Sequence, residues 1–351
     1  MHNSGMLAFP PLDSPDLKEI LRPAPEPVRL VDDALAHSIL LADPAAYLAF
    51  LEQGLRDIAS GDTALTLPPK AVFDEGPGKG DFRVMPCVTR GANRLVKTVK
   101  VVGTNLVQHD VPDQVTVGKA MLLHPEENYV THLFDANALS SIRTGACVAL
   151  AIRLLATRRR HLLFVGAGRV GFYGAVFAGA LDETETMRFM DIEEGRADAL
   201  ARLLARRNAG IGYSAQPPGQ DDPVDVVVLA TTAASPFCRP PAWGAALVVS
   251  VGADTNFQHE LDAAWAGKAD IFVDTRDSAR FGDLRRWLAD GLIRQEDLRD
   301  LFDVLRNGPA VAEPRLFVST GSALFDNLTM AYLAERLPPA IQSSEMKSSN
   351  L

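Results

Sequence analysis

"LLFVGAGRVG", residues 162–171, sets four apolar residues before three glycines and places an arginine among them. A G-x-G-x-x-G spacing gains meaning only when a strand precedes it, a helix follows it and an acid stands about 20 residues further on. All three conditions are met. His161 to Val165 reads as a short strand buried on both faces. Gly166 would then make the tight turn, Gly168 would admit a pyrophosphate to the backbone, and Gly171 would let a helix pack close. That helix is predicted over residues 172–181, with free N–H groups at its start that attract phosphate. Arg169 and Val170 lie between the glycines and belong to the same turn. The next strand, "TMRFMD", ends in Asp191, where a carboxylate would take the hydroxyls of an adenosine ribose and repel a 2′-phosphate. Glu193 and Glu194 add negative charge there, so NAD(H) is expected over NADP(H), although Arg188 and Arg196 stand nearby. The plainer reading of Asp191 is a strand-end cap for the following helix.

Outward from this turn, strands and helices alternate through "DVVVLAT", "ALVVSVGA" and "DIFVDT". Such alternation predicts an α/β fold, a Rossmann-type doubly wound parallel sheet. The preceding region differs. "DPAAYLAFLEQGLRDIASGD" reads as an amphipathic helix with Asp43 as cap and Gly61 at its stop. From Ala64 to Ala136 short strands follow one another, including "ALTLPPKAVF", "DFRVMPCV" and "RLVKTVKVV". "NALSSIRTGACVALAIRLLA" is then a long helix leading into the glycine turn, and "GSALFDNLTMAYLAERL" is a last helix that returns to the first domain. The expected layout is a loose arm over 1–27 and a strand-rich α+β substrate-binding and dimerisation domain over 28–145 with 312–338. The NAD-binding domain is expected over 146–311, followed by a disordered tail over 339–351.

A chain of 351 residues, 47% of them hydrophobic, can fill two cores. Its net charge of −9 argues against a nucleic-acid or anionic-membrane partner. No uninterrupted apolar run reaches membrane-spanning length, and the amino terminus lacks a signal-peptide pattern, so a cytoplasmic location is expected. Cys87, Cys147 and Cys238 are widely spaced without a C-x-x-C, and the seven histidines show no H-x-x-x-H pair, so no metal site is expected. His259 reads as a surface or supporting residue.

In an open α/β sheet the ligand lies beyond the carboxyl ends of the strands. One such end is "LATTAASPF", where the small Thr231 and Thr232 would let a nicotinamide approach the backbone. Another is "SVGAD", in which Val251 and Gly252 lead to Asp254, a candidate acid/base whose pKa burial would raise. The plainer role for Asp254 is an Asx turn. An amino- or keto-acid substrate would need a cationic partner for its carboxylate. In "RLVKTVKVVG", Lys97 shares a face with Leu95, Val99 and Val101, while Lys100 shares the other with Val96, Thr98 and Val102. Lys97 is taken as the functional lysine, since a lysine on an apolar face calls for an anion. Arg143 sits among apolar and small residues, where it either snorkels or binds a ligand. Lys70 follows two prolines that fix its backbone.

With these residues in hand, the chain resembles the ornithine cyclodeaminase/mu-crystallin family over roughly residues 30–335. "KTVKVVGTN" is similar to that family's K-x-V-x-x-x-P-x-N segment, with Lys97 at the lysine, Asn105 at the asparagine and Gly103 in place of proline. "LFDANALSSIRTGA" resembles its L-D-x-x-x-L-T-x-x-R-T-x-A helix, with Arg143 at the carboxylate-binding arginine. "RVMPCV", containing Met85, resembles its M-P segment. "SVGADTNFQHELD" places Asp254 at the catalytic aspartate, and "FVSTGSALFD", with Ser319 and Gly321, resembles the closing motif.

The resemblance implies a homodimer built through the strand-rich domain. It also implies a nicotinamide cofactor exchanging hydride with the α-carbon of an amino acid, ketimine or N-substituted amino acid. Arg143, Lys97 and Lys70 would hold the carboxylate, with Lys70 standing where many members carry arginine, and Asp254 would move the proton or position water. Gln258 stands where many members carry lysine, and "HPEENYVTHLFDA" lacks the usual T-G-x-P turn. Both departures weigh against strict ornithine cyclodeamination. The alternatives are a cyclodeaminase-type lyase that recycles NAD within each turnover, and a non-enzymatic ligand binder. The 104–113 segment and the 124–132 turn are expected to line the side-chain pocket.

Overall fold

The computed structural model describes residues 10–338 except 23, 25, 75, 77, 78, 113 and 309–311. The tail expected over 339–351 therefore lies outside the described residues, as do the first nine residues of the arm. Within the arm, α1 (Pro15–Leu21) forms a short exposed helix. Then come β1 (Arg29–Val31), α2 (Asp33–Ala42) and α3 (Pro44–Ser60). The bounds of α3 are set by local chemistry. The Ala46 N–H donates to Asp43 Oδ1 at 2.9 Å, Pro44 opens the first turn, and Gly61 closes the last at φ 91°. Leu48, Leu51 and Leu55 are fully buried on one face of α3, each contributing ~1.5–3 kcal/mol before chain entropy is counted.

The first sheet comprises β2 (Ala64–Thr66), β3 (Ala71–Asp74), β4 (Asp81–Arg90), β5 (Leu95–Thr104), β6 (Thr116–Leu123) and β7 (Val130–Asp135), together with β1. Its order is β1-β7-β6-β5-β4-β2, with β3 also on β4. The stretch read as one strand, 64–73, is two strands. Pro68 and Pro69 offer no N–H to a ladder and break it, and both halves pair with β4.

Next come α4 (Ala136–Leu155), β8 (His161–Val165), α5 (Arg169–Ala178), β9 (Thr186–Met190), α6 (Arg196–Ala205), β10 (Gly212–Ser214), β11 (Val226–Leu229) and β12 (Leu247–Ser250). The remaining elements are β13 (Asp270–Val273), α7 (Gly282–Ala289), β14 (Leu298–Asp300), α8 (Leu301–Asn307), β15 (Arg315–Val318) and α9 (Ala323–Arg336). β8 to β15 make one eight-stranded sheet in the order β10-β9-β8-β11-β12-β15-β13-β14, parallel throughout. β11 and β12 are buried at every residue, as strands covered on both faces must be.

Two sequence expectations are corrected here. Residues 312–338 do not all return to the first sheet, because β15 inserts between β12 and β13. Only α9 returns: the Asn327 side-chain amide donates to Cys87 O, Val96 O and Thr98 Oγ1 at 3.1–3.3 Å, docking α9 across β4 and β5. The 145/146 boundary falls inside α4, which is continuous and packs on both α5 and β6. Although the sequence holds no uninterrupted apolar run of that length, α4 is long and apolar enough to cross a bilayer, yet 78% of its apolar window is buried inside the protein.

Candidate active site

The glycine turn stands at the carboxyl end of β8. Gly166 adopts φ +100°, and a Cβ there would lie 2.3 Å from Ala230 O, so only glycine fits. At Gly171 a Cβ would lie 2.0 Å from Gly166 O, which is the close approach expected of the third glycine. At Gly168, by contrast, a Cβ would meet nothing within 4 Å, so open space faces the start of α5. That helix begins at Arg169 and ends at Ala178, three residues earlier at each end than predicted, because Gly168 itself serves as the amino-terminal cap. No side chain caps it, which leaves its first N–H groups for a ligand. Val170 is half-buried in the first turn, and the Arg169 guanidinium donates to Gln114 Oε1 at 2.8 Å and to Asn137.

Asp191 follows β9 with its side chain only 6% exposed. Its Oδ2 accepts from Ala167 N at 2.7 Å and its Oδ1 from Glu193 N at 2.8 Å, so it braces the glycine turn. The two nearby arginines already meet carboxylates: Arg188 reaches Asp222 at 2.9 Å, and Arg196 pairs with Glu193.

The ends of β11 and β12 are tied by a residue to which the sequence reading gave no role. Glu260 is fully buried and accepts from Thr231 N (2.7 Å), Thr231 Oγ1 (2.8 Å), Ser250 Oγ (2.7 Å) and Gly252 N (3.1 Å). Burial raises its pKa despite these bonds. Glu260 stands in the polar segment "QHELD", so nothing local in the sequence marked it for burial. Thr231 is half-buried, Thr232 beside it is exposed, and Val251 is buried. Ser319, at the end of β15, donates to Asp274 Oδ2 at 2.7 Å, and the Gly321 N–H returns to Ser319 Oγ at 3.3 Å. His259 Nδ1 bonds Asp283 Oδ1 at 3.0 Å.

Between the two sheets lies a cluster of charges. Arg83, on β4, donates from Nη1 to Asp254 Oδ2 at 2.8 Å, and from Nε and Nη2 to Asp81 Oδ2 at 3.1 and 2.9 Å. Gly252 and Ala253 deliver Asp254 from β12, its side chain 40% exposed. The Gln258 amide, oriented to satisfy its neighbours, donates to Asp254 Oδ1 at 3.1 Å. The expected rise in the Asp254 pKa is corrected. Burial alone would raise it, but the Arg83 and Lys70 cations outweigh burial and hold it below the usual carboxylate value.

Lys70 is buried, with Nζ donating to Thr320 O at 2.6 Å and lying 3.9 Å from the centre of the Phe281 ring. No carboxylate comes within ion-pair distance of it among the described residues. Burial, and then the Arg83 charge, lower its pKa to about 7. Arg143 is buried on α4, with Nε donating to Asp326 Oδ1 at 3.0 Å. Its two terminal nitrogens donate to no described residue and lie 3.1 and 3.2 Å from where a Cβ on Gly321 would be. Thr320 and Gly321 thus place Lys70 and Arg143 side by side.

Lys97 does not join them. β5 turns Val96, Thr98, Lys100 and Val102 inward, while Lys97 points outward and donates to Asn128 Oδ1 at 2.6 Å. The reason is that α4 and α9 cover one face of the first sheet, and this cover, not the count of apolar neighbours, decides which face is buried. Lys100 is the lysine turned inward, 2.7 Å from Asp326 Oδ2 and opposite the buried Met85. Arg83, Lys100 and Asp326 were therefore missed as site residues. An alternation count along β4 could have found Arg83, since it shares its face with Met85 and Cys87.

A family model described as ornithine cyclodeaminase/mu-crystallin matches residues 34–338. Alanine dehydrogenase of Archaeoglobus fulgidus is 26% identical over 79% of this chain and 85% of its own length. Delta(1)-pyrroline-2-carboxylate reductase 2 of Burkholderia ambifaria is 28% identical over 83% of this chain and 91% of its own. Among solved structures, the Thermococcus litoralis Delta(1)-pyrroline-2-carboxylate reductase in complex with NADH and L-proline superposes with a TM-score of 0.76 at 19% identity, covering 87% of this chain and 96% of that one.

Proposed function

Because this chain belongs to the ornithine cyclodeaminase/mu-crystallin family, we propose that it is an NAD(H)-dependent oxidoreductase acting at the α-carbon of an amino acid, ketimine or N-substituted amino acid. The observation that carries this reading is Asp254 held at the end of β12 beside two buried cations, Lys70 and Arg143, that lack enough anionic partners of their own.

The glycine turn fits a dinucleotide: open space at Gly168 meets uncapped N–H groups at the start of α5. Asp191 and Glu193 make the ribose end negative, and carboxylates already occupy Arg188 and Arg196, which supports NAD(H) over NADP(H). When bound, the nicotinamide supplies or accepts the hydride. Lys70 and the terminal nitrogens of Arg143 would hold the substrate carboxylate, the arginine offering the more directional fork. Asp254, kept ionised by Arg83, would sit at the substrate nitrogen. There it would hold a protonated imine for reduction, or take a proton from the ammonium before oxidation.

Burial of all three cysteines as free thiols agrees with a cytoplasmic protein. For a homodimer, the outward face of β5, with Leu95, Val99 and Val101, offers the apolar contact.

The test is nicotinamide absorbance with NADH and a panel of 2-oxo acids with amines and cyclic imino acids. Oxidation of NADH is expected. No oxidation with any of them, together with proline formed from ornithine and NAD, would overturn the reductase reading in favour of a hydride-neutral lyase. Lys70 adds a pH signature. Arg83, Asp254, Asp274 and Asp277 face it, and it must be protonated to hold an anion. Propionate binding is therefore expected to weaken by up to about tenfold per pH unit above about 7. In Lys70→Arg, which stays charged, that decline should vanish on calorimetric titration. A wild-type affinity flat from pH 6 to 9 would remove Lys70 from the carboxylate.

A further inference from the structure

The carboxylate clamp accounts for Lys70 and Arg143 but leaves Arg83 without a role toward the substrate. Arg83 is 7% exposed and reaches the site from the opposite wall, on β4, with Nη1 directed at Asp254. Its other two donors share a single oxygen of Asp81, so Nη1 is the donor turned toward the reacting groups. When Asp254 engages the substrate nitrogen, that nitrogen is cationic, and Asp254 can then serve Arg83 only in part. An uncharged substrate side chain leaves a buried guanidinium short of an anion. A cationic side chain brings like charge against it. A carboxylate a few bonds from the nitrogen restores the pairing.

The balance of the whole cluster runs the same way. Lys70, Arg83, Lys100 and Arg143 face Asp81, Asp254 and Asp326, an excess of cations before any substrate enters. Asp274 and Asp277 act on Lys70 from beyond ion-pair distance, but Asp277 is paired with Arg280 and Asp274 is enclosed by Ser278, Ser319 and the Thr275 N–H, so neither is in ion-pair contact with the four cations. Protein interiors do not keep unpaired charge without need.

We propose that Arg83 is a substrate-specificity residue, and that the site takes a substrate bearing a second carboxylate, carried either on its carbon chain or on the substituent of its nitrogen. This rests on the oxidoreductase reading for the positions of the first carboxylate and of the substrate nitrogen. It also disfavours diamino acids, whose second ammonium would meet Arg83.

The test is calorimetric titration of the full chain, with and without NADH, using succinate and butyrate, which share a four-carbon chain and differ by one carboxylate. Succinate is expected to bind about 10- to 100-fold more tightly, the range of one added charge-assisted hydrogen-bonded pair. Arg83→Gln should bring the two ligands to parity. L-Aspartate and iminodiacetate then separate the two sources, the tighter of them showing whether the second carboxylate belongs to the chain or to the nitrogen. Equal affinity of the wild type for succinate and butyrate would overturn the proposal, and that comparison does not depend on how well Arg83→Gln folds. Failure to bind NADH would sink the oxidoreductase reading instead, while the titration without cofactor still decides the role of Arg83.

Discussion

Asp254→Asn should lower turnover by ~10²–10⁴-fold while leaving NADH binding intact. The substitution keeps the shape of the side chain and removes its charge. Asp254 is not part of the core. It is 40% exposed and reached through the Gly252–Ala253 turn, and its partners are Arg83 Nη1 and Gln258. An asparagine can still accept from Gln258, but its amide nitrogen offers Arg83 nothing, and it cannot hold a cationic nitrogen or take a proton from it. Stopped-flow or steady-state absorbance on the substrate found by the panel, with NADH fluorescence for cofactor affinity, separates the possibilities. Unchanged turnover would remove Asp254 from the chemistry. Loss of NADH binding along with turnover would reduce it to a loop residue.

The largest effect on stability is expected at Asp326. This carboxylate on α9 is fully buried and meets two buried cations at once, Lys100 Nζ at 2.7 Å and Arg143 Nε at 3.0 Å. Replacing it with leucine leaves both cations in the interior without an anion, and breaking a buried pair in this way costs about 3–5 kcal/mol. Lys100 has the means to respond by losing its proton, since burial already lowers its pKa to about 8 against the pull of Asp326. Arg143 cannot do so. Part of the destabilisation of Asp326→Leu should therefore be relieved above about pH 8, where a neutral Lys100 no longer needs its partner. Urea denaturation at pH 7 and pH 9 measures both effects. A loss below ~1 kcal/mol, the range of an exposed pair, would show that the network carries little of the fold.

The two variants probe different layers of one cluster, and the sequence made those layers unequally visible. Asp254 and Arg143 could be read from short motifs because each sits at a position fixed by its own element: one on the turn after β12, the other on the face of α4. Asp326 lies in the quoted "FVSTGSALFD" segment, but nothing local in the chain says that it meets Lys100 and Arg143. Those contacts join β5, α4 and α9, which lie far apart along the chain. The pairing of Arg83 was hidden for the same reason, since Asp254 is 171 residues away, although the alternation along β4 marks Arg83 itself as inward-facing.

What the sequence determined by itself is the class of architecture and the strand ends at which the candidate site is sought. Apolar runs too short for anything but strands, interrupted by helix-period segments, dictate a parallel sheet. Gly166 and Gly171 fix a turn at the end of β8 that a side chain at either position would block, and Asp43, Pro44 and Gly61 set the ends of α3 through contacts within a few residues. The tertiary structure decided the rest, because burial and charge pairing are properties of what packs against a residue. It chose Lys100 over Lys97 by laying α4 and α9 on one face of the first sheet, and it placed β15 between β12 and β13. It also set the protonation of Asp254, since the field at that carboxylate comes from Arg83 and Lys70, two cations that reach it from the other sheet.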